Sequence, residues 1–385
     1  VIKDEVIIEV GSGKSYQSYI NDNTTLVDAT GLLMLPGFVD SHTHLVHGGS
    51  REHELKLKLE GKSYLEILAS GGGILNTVEK TKKASFTELY NKAKKSLDIM
   101  LLHGVTTLEA KSGYGLELET ELKQLEVAKS LSENHPIDII STFLGAHAYP
   151  KEYLNNKQAY IEEVVKMLKV VKERNLAQYC DVFCEQDVFS VSESEYILSE
   201  AKKLGFKLKI HADEIEPIGG ANLACRLGCT SVDHLMTSTD EDIKNLAENK
   251  VVTNLLPATS FNLNKSYARA RFMIDANCGV ALSSDYNPGS CPSENLQFVM
   301  QLASLKMKML PEEVITAVTL NGACSVDKSK TIGSIERGKK ADLVLLDIPN
   351  IEYLIYHFGI NHVKDVYKNG KLVVSNQKVV YEEEK

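Results

Sequence analysis

Five side chains able to bind a metal or move a proton stand in short apolar runs scattered along the 385-residue chain. His42 and His44 lie in FVDSHTHL, His211 in KLKIHADE, His234 in TSVDHL and Asp285 in GVALSSDYN. Residues two apart on an extended strand share a face, so the imidazoles of His42 and His44 look the same way. A His-x-His pair by itself is a weak signal that also has a plain reading as two hydrogen-bonded polar residues. Joined by further histidines and a carboxylate at other strand ends, it reads as a site for one divalent ion. Nitrogen donors with one carboxylate suit zinc and iron alike, with a position left open for water.

Such a convergence needs a scaffold that gathers strand ends. Between Phe38 and Ser329 the runs above and GVTTLEAKS, IISTFLGAHA, YCDVFCE and VVTNLLP alternate with longer amphipathic segments such as SFTELYNKAKKSLDIMLLHG and NKQAYIEEVVKMLKVVKERN. Eight strands with helical crossovers predict a parallel sheet closed into a (β/α)8 barrel, whose function gathers at the C-terminal strand ends. No GxGxxG follows the first run, which argues against a dinucleotide-binding sheet. The two ends of the chain differ from this middle. VIIEVG, TTLVDATG and LLMLPG near the start, and ADLVLLD, VKDVYKNG and KLVVSNQ near the finish, are short β-rich runs punctuated by Gly, Asn and Asp. Asn369-Gly370 between two apolar runs predicts a tight hairpin. The expected fold is α/β: a TIM barrel over residues 38–329 with a small β-sandwich domain built from residues 1–37 and 330–385.

Composition narrows the partners. Hydrophobic residues make up 43% and charged residues 25%, the balance of a soluble globular protein with ample core. A net charge of −9 without a basic stripe argues against nucleic acid. No apolar run approaches the roughly 18 residues of a membrane span, and VIKDEVIIEV lacks the apolar centre of a signal peptide. No membrane partner is therefore expected, and the cytoplasm is the expected compartment. Seven cysteines, an odd number in a chain long enough to need no staples, read as reduced thiols. Cys180/Cys184 and Cys225/Cys229 offer a CxxxC zinc site or, more simply, small buried core residues. The chain opens inside a strand-like alternation without a Met, so further residues are expected before Val1.

LPGFVDSHTHL followed by HADE, DHL and SSDYNPG resembles the amidohydrolase superfamily. HTHLVHGGSR (His42 to Arg51), KSGYGL (Lys111 to Leu116), FLGAHA (Phe143 to Ala148), HADE (His211 to Glu214) and SSDYNPGS (Ser283 to Ser290) narrow the resemblance to the imidazolonepropionase family, which opens a ring in histidine degradation. The resemblance spans essentially the whole chain, including the closing IGSIERGKKADLVLLD. It implies His42, His44, His211 and Asp285 as metal ligands, with His234 beside the metal near the attacking water. Lys111 is the lysine to suspect as a carboxylated bridge between two metals. Its place in KSGYG departs from the usual bridging position, so one divalent ion, zinc or iron, is expected.

The same resemblance implies substrate contacts from Arg51, Tyr114, His147 and Glu214, and contacts to the opened product from Asn287, Gly289 and Ser290. The expected ligand is a small molecule with a carboxylate arm, for which Arg51 offers a planar cationic fork and Tyr114 and His147 further donors. Tyr64 is another candidate. Asn287-Pro288-Gly289-Ser290 is a turn by composition, and its place just after Asp285 argues for a rim role in which Gly289 N–H and the Ser290 hydroxyl meet ligand oxygens. The run Gly71 to Gly73 reads either as a plain connection or as a flap over the mouth.

The implied reaction is hydrolysis of the cyclic amide C–N bond of 4-imidazolone-5-propanoate to N-formimidoyl-L-glutamate. Asp285 would carry a proton from water to the ring nitrogen, His234 would stabilise the oxyanion, and Glu214 would be the base or its partner. The alternatives are another mononuclear amidohydrolase, such as a cytosine- or guanine-type deaminase that releases ammonia, and a metal-binding scaffold without activity. The family's habit implies a homodimer.

Overall fold

Apolar runs uninterrupted by exposed positions must be covered on both faces, which is the situation of strands in a parallel sheet with helices outside it. In the computed structural model, which describes residues 1–62, 66 and 71–381, eight such strands pair side by side in sequence order. They are Phe38–Thr43, Val105–Lys111, Asp138–Ala146, Tyr179–Cys184, Lys207–Ala212, Ser231–His234, Val252–Leu255 and Val280–Leu282. All seven pairings are parallel. A parallel bridge between Thr43 and Tyr286 joins the first strand to the segment after the eighth and closes the barrel. Asp285 N–H donates to His42 O at 3.0 Å and His44 N–H to Tyr286 O at 2.9 Å. The seam thus brings the first two histidines against the distant aspartate.

Crossover helices follow where the periodicity places them, among them Phe86–Leu102, Leu118–Asn134, Lys157–Glu173, Val191–Lys203 and Asp240–Glu248. Ser85, Ser190 and Thr239 cap three of them, each in a reciprocal box with an acidic residue three positions on. In the first, Leu89, Ala93, Leu97 and Met100 recur at helical spacing on the buried face. Val39, Ile140, Tyr179, Ala323, Val326 and Ile332 form a separate apolar cluster that includes residues of three barrel strands. Ile332 belongs to it although it lies beyond residue 329.

Both termini contribute to a five-stranded antiparallel sheet in the order Lys378–Val379, Lys371–Ser375, Val363–Lys368, Leu343–Leu346, Leu33–Pro36. The hairpin at Asn369-Gly370 has φ of 50° and 76° there, the left-handed pair that a tight type I′ turn requires. A two-stranded hairpin, Ile2–Lys3 with Val6–Ile7, joins this sheet through the cluster of Ile7, Ala341 and Leu343. Lys368 ties the sheet to the barrel by pairing with Asp342 at 2.6 Å and with Asp138, at the start of the third barrel strand, at 2.9 Å.

One expected β run does not form. TTLVDATG carries no strand, and Leu26 and Val27 are 64% and 54% exposed. β-propensity acts through packing on neighbouring strands, and this run has none beside it. All seven cysteines are free, and among the described residues no group placed to hold a metal contains one, so the CxxxC pairs serve as core. No described helix is long and apolar enough to cross a membrane.

Candidate metal centre and its mouth

Strand termination sets the positions of the donors. His42 and His44 flank Thr43 at the end of the first strand, His211 is the last residue but one of the fifth, His234 ends the sixth and Asp285 follows the eighth; all five are buried. His42 Nε2 lies 3.4 Å and His44 Nε2 3.6 Å from Asp285 Oδ1. The His42 and His211 rings are 4.5 Å apart between centroids, and those of His211 and His234 5.2 Å. One ligand atom from each of His42, His44 and Asp285 falls within 4.8 Å of the others, and the same holds for His42, His211 and His234. Donors about 2.0–2.2 Å from a tetrahedral zinc stand roughly 3.3–3.6 Å from one another, which matches the spacings to Asp285.

Several ring nitrogens in the cluster also lack a partner. His42 Nε2, His44 Nδ1, His211 Nε2 and His234 Nδ1 are buried without a hydrogen-bond partner among the described residues. Each such group costs about 1–3 kcal/mol, so a cluster of them fits a bound cation. Burial, reinforced by Lys111 and the neighbouring rings, holds His42 and His211 well below the usual histidine range, and burial with His147 does the same for His44. They are neutral imidazoles, the form that ligates.

Beneath the histidines lies a buried set of charges, of which sequence reasoning singled out Lys111 alone. Asp233 Oδ2 is 2.6 Å from His42 Nδ1 and Asp181 Oδ2 is 3.0 Å from His211 Nδ1. Lys111 Nζ sits among Asp181, Glu109 and Asp233 at 2.6, 3.0 and 3.3 Å, and Lys209 Nζ reaches Glu109 at 2.8 Å. Burial opposes the charge on Lys111, but Asp181, Glu109 and Asp233 outweigh it and its pKa is raised. The available signal was a charged residue in the middle of a doubly covered run, as in YCDVFCE or TLEAK, since a buried charge needs a partner.

Two strand ends are strained. His234 has φ of 81°, Leu235 57° and Asp285 56°, a left-handed conformation that costs non-glycine residues about 1–3 kcal/mol and recurs where function requires it. Thr259 Oγ1 donates to Asp285 Oδ2 at 2.5 Å. Burial pushes the Asp285 carboxyl up to about 6, with His234 and Thr259 opposing the shift.

Around the mouth, Glu214 Oε2 is 3.7 Å from His234 Nε2, with its side chain 18% exposed. Burial, and then the charge of Glu185, push its carboxyl up to about 7. His147 stacks on His44 at 4.9 Å and Tyr114 stands 5.3 Å from His147. His147 Nδ1 is 3.0 Å from Gly113 O, which can only accept, and burial lowers the ring's pKa to about 4. Neutral His147 therefore presents Nε2 as an acceptor, where the sequence reading has a donor.

Arg51 Nε and Nη2 donate to the two oxygens of Glu54 at 2.8 and 2.9 Å, and Glu54 also receives the Gly73 N–H at 2.7 Å. Gly71 and Gly73 adopt φ of 86° and 78° and lead into the helix Ile74–Lys83. The opposite edge of Arg51 lies against Gly289, where an added Cβ would fall 2.1 Å from Nη1. Asn287 Oδ1 accepts the N–H groups of Gly289 and Ser290, both at 2.8 Å, while its Nδ2 donates to Asp285 O and Ser290 Oγ, both at 2.7 Å. The Gly289 N–H is thus committed within the loop instead of being free for a ligand. Tyr64 lies outside the described residues.

Residues 33–373 match the Amidohydrolase family. An imidazolonepropionase of Fusobacterium nucleatum is 59% identical over 97% of this chain and 90% of its own. One from Alkaliphilus metalliredigens is 55% identical over 98% of this chain and 90% of its own. An adenosine deaminase from Xanthomonas campestris, solved with bound zinc, has a TM-score of 0.69 at 18% identity, covering 92% of this chain and 83% of that one. At that identity the likeness concerns the fold.

Proposed function

The chain belongs to the imidazolonepropionase family of amidohydrolases, and on that premise we propose that it hydrolyses the cyclic amide of imidazolone propanoate to N-formimidoyl-L-glutamate in histidine degradation. The observation that carries the reading to residues is the convergence of His42, His44, His211 and Asp285 at one mouth, with unpartnered buried ring nitrogens among them. These four would hold one divalent ion, zinc or iron. Lys111, engaged by three carboxylates, is not available as a carboxylated bridge to a second. When bound, the ion supplies an acidified water and polarises the ring carbonyl.

The remaining chemistry falls to the chain. Glu214, with its pKa near neutrality, accepts the proton as the water oxygen forms its bond to the carbonyl carbon. The same carboxyl returns that proton to the ring nitrogen as the C–N bond breaks. His234, buried and 3.7 Å from Glu214, steadies the oxyanion, and Asp285 is the second carboxylate able to share the proton. Tyr114 donates toward the substrate carboxylate beside Arg51. His147 Nε2 accepts from a ring N–H. Asn287 shapes the loop through Gly289 and Ser290 so that it fits the opened product.

A deaminase on a neutral nucleobase would use similar metal and acid groups, yet it has no use for the Arg51 cluster at the mouth. The test is metal analysis together with an ultraviolet assay of imidazolone propanoate loss. Loss of the ring without ammonia supports the reading; ammonia release, or metal binding without turnover of any cyclic amide, overturns it. We also assign a homodimer, to be read by light scattering, and the cytoplasm, which suits seven thiols with no disulfide among them.

A further inference from the structure

Arg51 has too little charge left to capture a carboxylate alone. Its Nε and Nη2 edge is taken by both oxygens of Glu54, a fully buried carboxylate whose pKa remains lowered because Arg51 and Gly73 N–H outweigh its burial. The Arg51–Glu54 pair is therefore neutral. One turn along the helix His53–Leu59, Lys58 places Nζ 3.3 Å from Gly289 O and 3.8 Å from Glu54 Oε2. Arg51, Glu54 and Lys58 together carry one net positive charge. Both cations lie against Gly289, four residues beyond Asp285, and Tyr114 stands within electrostatic reach of both Arg51 and Asp285.

We infer that Lys58 is a specificity residue: it supplies the net charge that binds the substrate's carboxylate arm, while Glu54 and Arg51 set the direction from which that arm approaches. This rests on the ring-opening reading above. The plainer role, a helix-surface pair with Glu54, fits the geometry poorly. Both Glu54 oxygens are already engaged at 2.8 and 2.9 Å, and the Lys58 ammonium turns instead to a carbonyl 231 residues away in sequence. The Lys58 side chain is 31% exposed and burial lowers its pKa, so its ammonium is partly desolvated. Among the described residues the Lys58 ammonium makes its hydrogen bond to Gly289 O, which leaves two of its three donors to offer a carboxylate.

The experiment is steady-state kinetics of the metal-loaded protein on imidazolone propanoate and on its propanamide analogue, for wild type, Lys58→Met and Lys58→Arg, with melting temperatures recorded alongside. For Lys58→Met the expected result is KM raised about tenfold on the acid, kcat within about twofold, and no change on the neutral amide. Lys58→Arg should restore most of the loss. An unchanged KM on the acid, or an equal loss on acid and amide, overturns the inference. A wild-type protein that turns over neither compound overturns the ring-opening reading instead.

Discussion

Asp285 meets His42, His44, Thr259 and the strained end of the eighth strand at once, so its charge and its shape are separable by a single substitution. Asp285→Asn keeps the volume and removes the anionic oxygen. Turnover should fall by about a thousandfold or more, while the metal-free variant melts near metal-free wild type; a fully active variant would remove Asp285 from the ligand set. Glu214 makes the pH prediction. With its carboxyl at about 7, kcat/KM should decline on the acid side of neutrality, because a base must be ionised, and Glu214→Gln should abolish that limb along with most of the rate. The stability linkage has the opposite sense. Its raised pKa makes the neutral form the stabilising one, a contribution complete below the ordinary value of 4.5 and lost as pH rises through about 7. An acid limb that survives in Glu214→Gln would move the base to another residue.

At the scale of elements, the loop after the eighth strand and the loop after the first are locked together through Gly289. A Cβ there would meet Arg51 Nη1 at 2.1 Å, and Arg51 cannot swing aside without breaking its two bonds to Glu54. Gly289→Ala should therefore raise KM more than it lowers kcat, and a pairing with Arg51→Ala should be less than additive. Additive losses would mean that the two loops act separately. The turn signal in Asn287-Pro288-Gly289-Ser290 was legible because each residue type has a local preference. Its contact with Arg51 was not, since more than two hundred residues separate them. TTLVDATG illustrates the reverse case: a convincing local pattern without a strand to pair with.

Across the whole molecule, the barrel interior carries a charge ladder beneath the proposed metal. Lys111→Met would leave Glu109, Asp181 and Asp233 buried without their shared cation, and breaking a buried pair in this way costs about 3–5 kcal/mol. Urea denaturation should register that loss; a midpoint within error of wild type would mean that the carboxylates are neutral in the folded protein. Stripping the metal with a chelator should lower the melting temperature as well as abolish turnover, because an ion that binds only the folded chain stabilises it by mass action. Restoring zinc or iron should recover both. A chelated protein that melts as before would exclude the four-donor assignment.

Alternating apolar runs and amphipathic segments determined eight strands, their order and the barrel, because period and burial are properties of neighbouring residues. His-x-His, HADE and SSDYNPGS likewise placed the donors at strand ends. Only the closed barrel decided which atoms face each other. The Thr43–Tyr286 seam sets Asp285 against two histidines, Asp233 and Asp181 turn out to lie behind the ligands, and Glu54 proves to occupy the fork of Arg51. Those pairings join residues from separate strands and loops, and their energy comes from burial and direction, which no run of sequence contains until the sheet has closed.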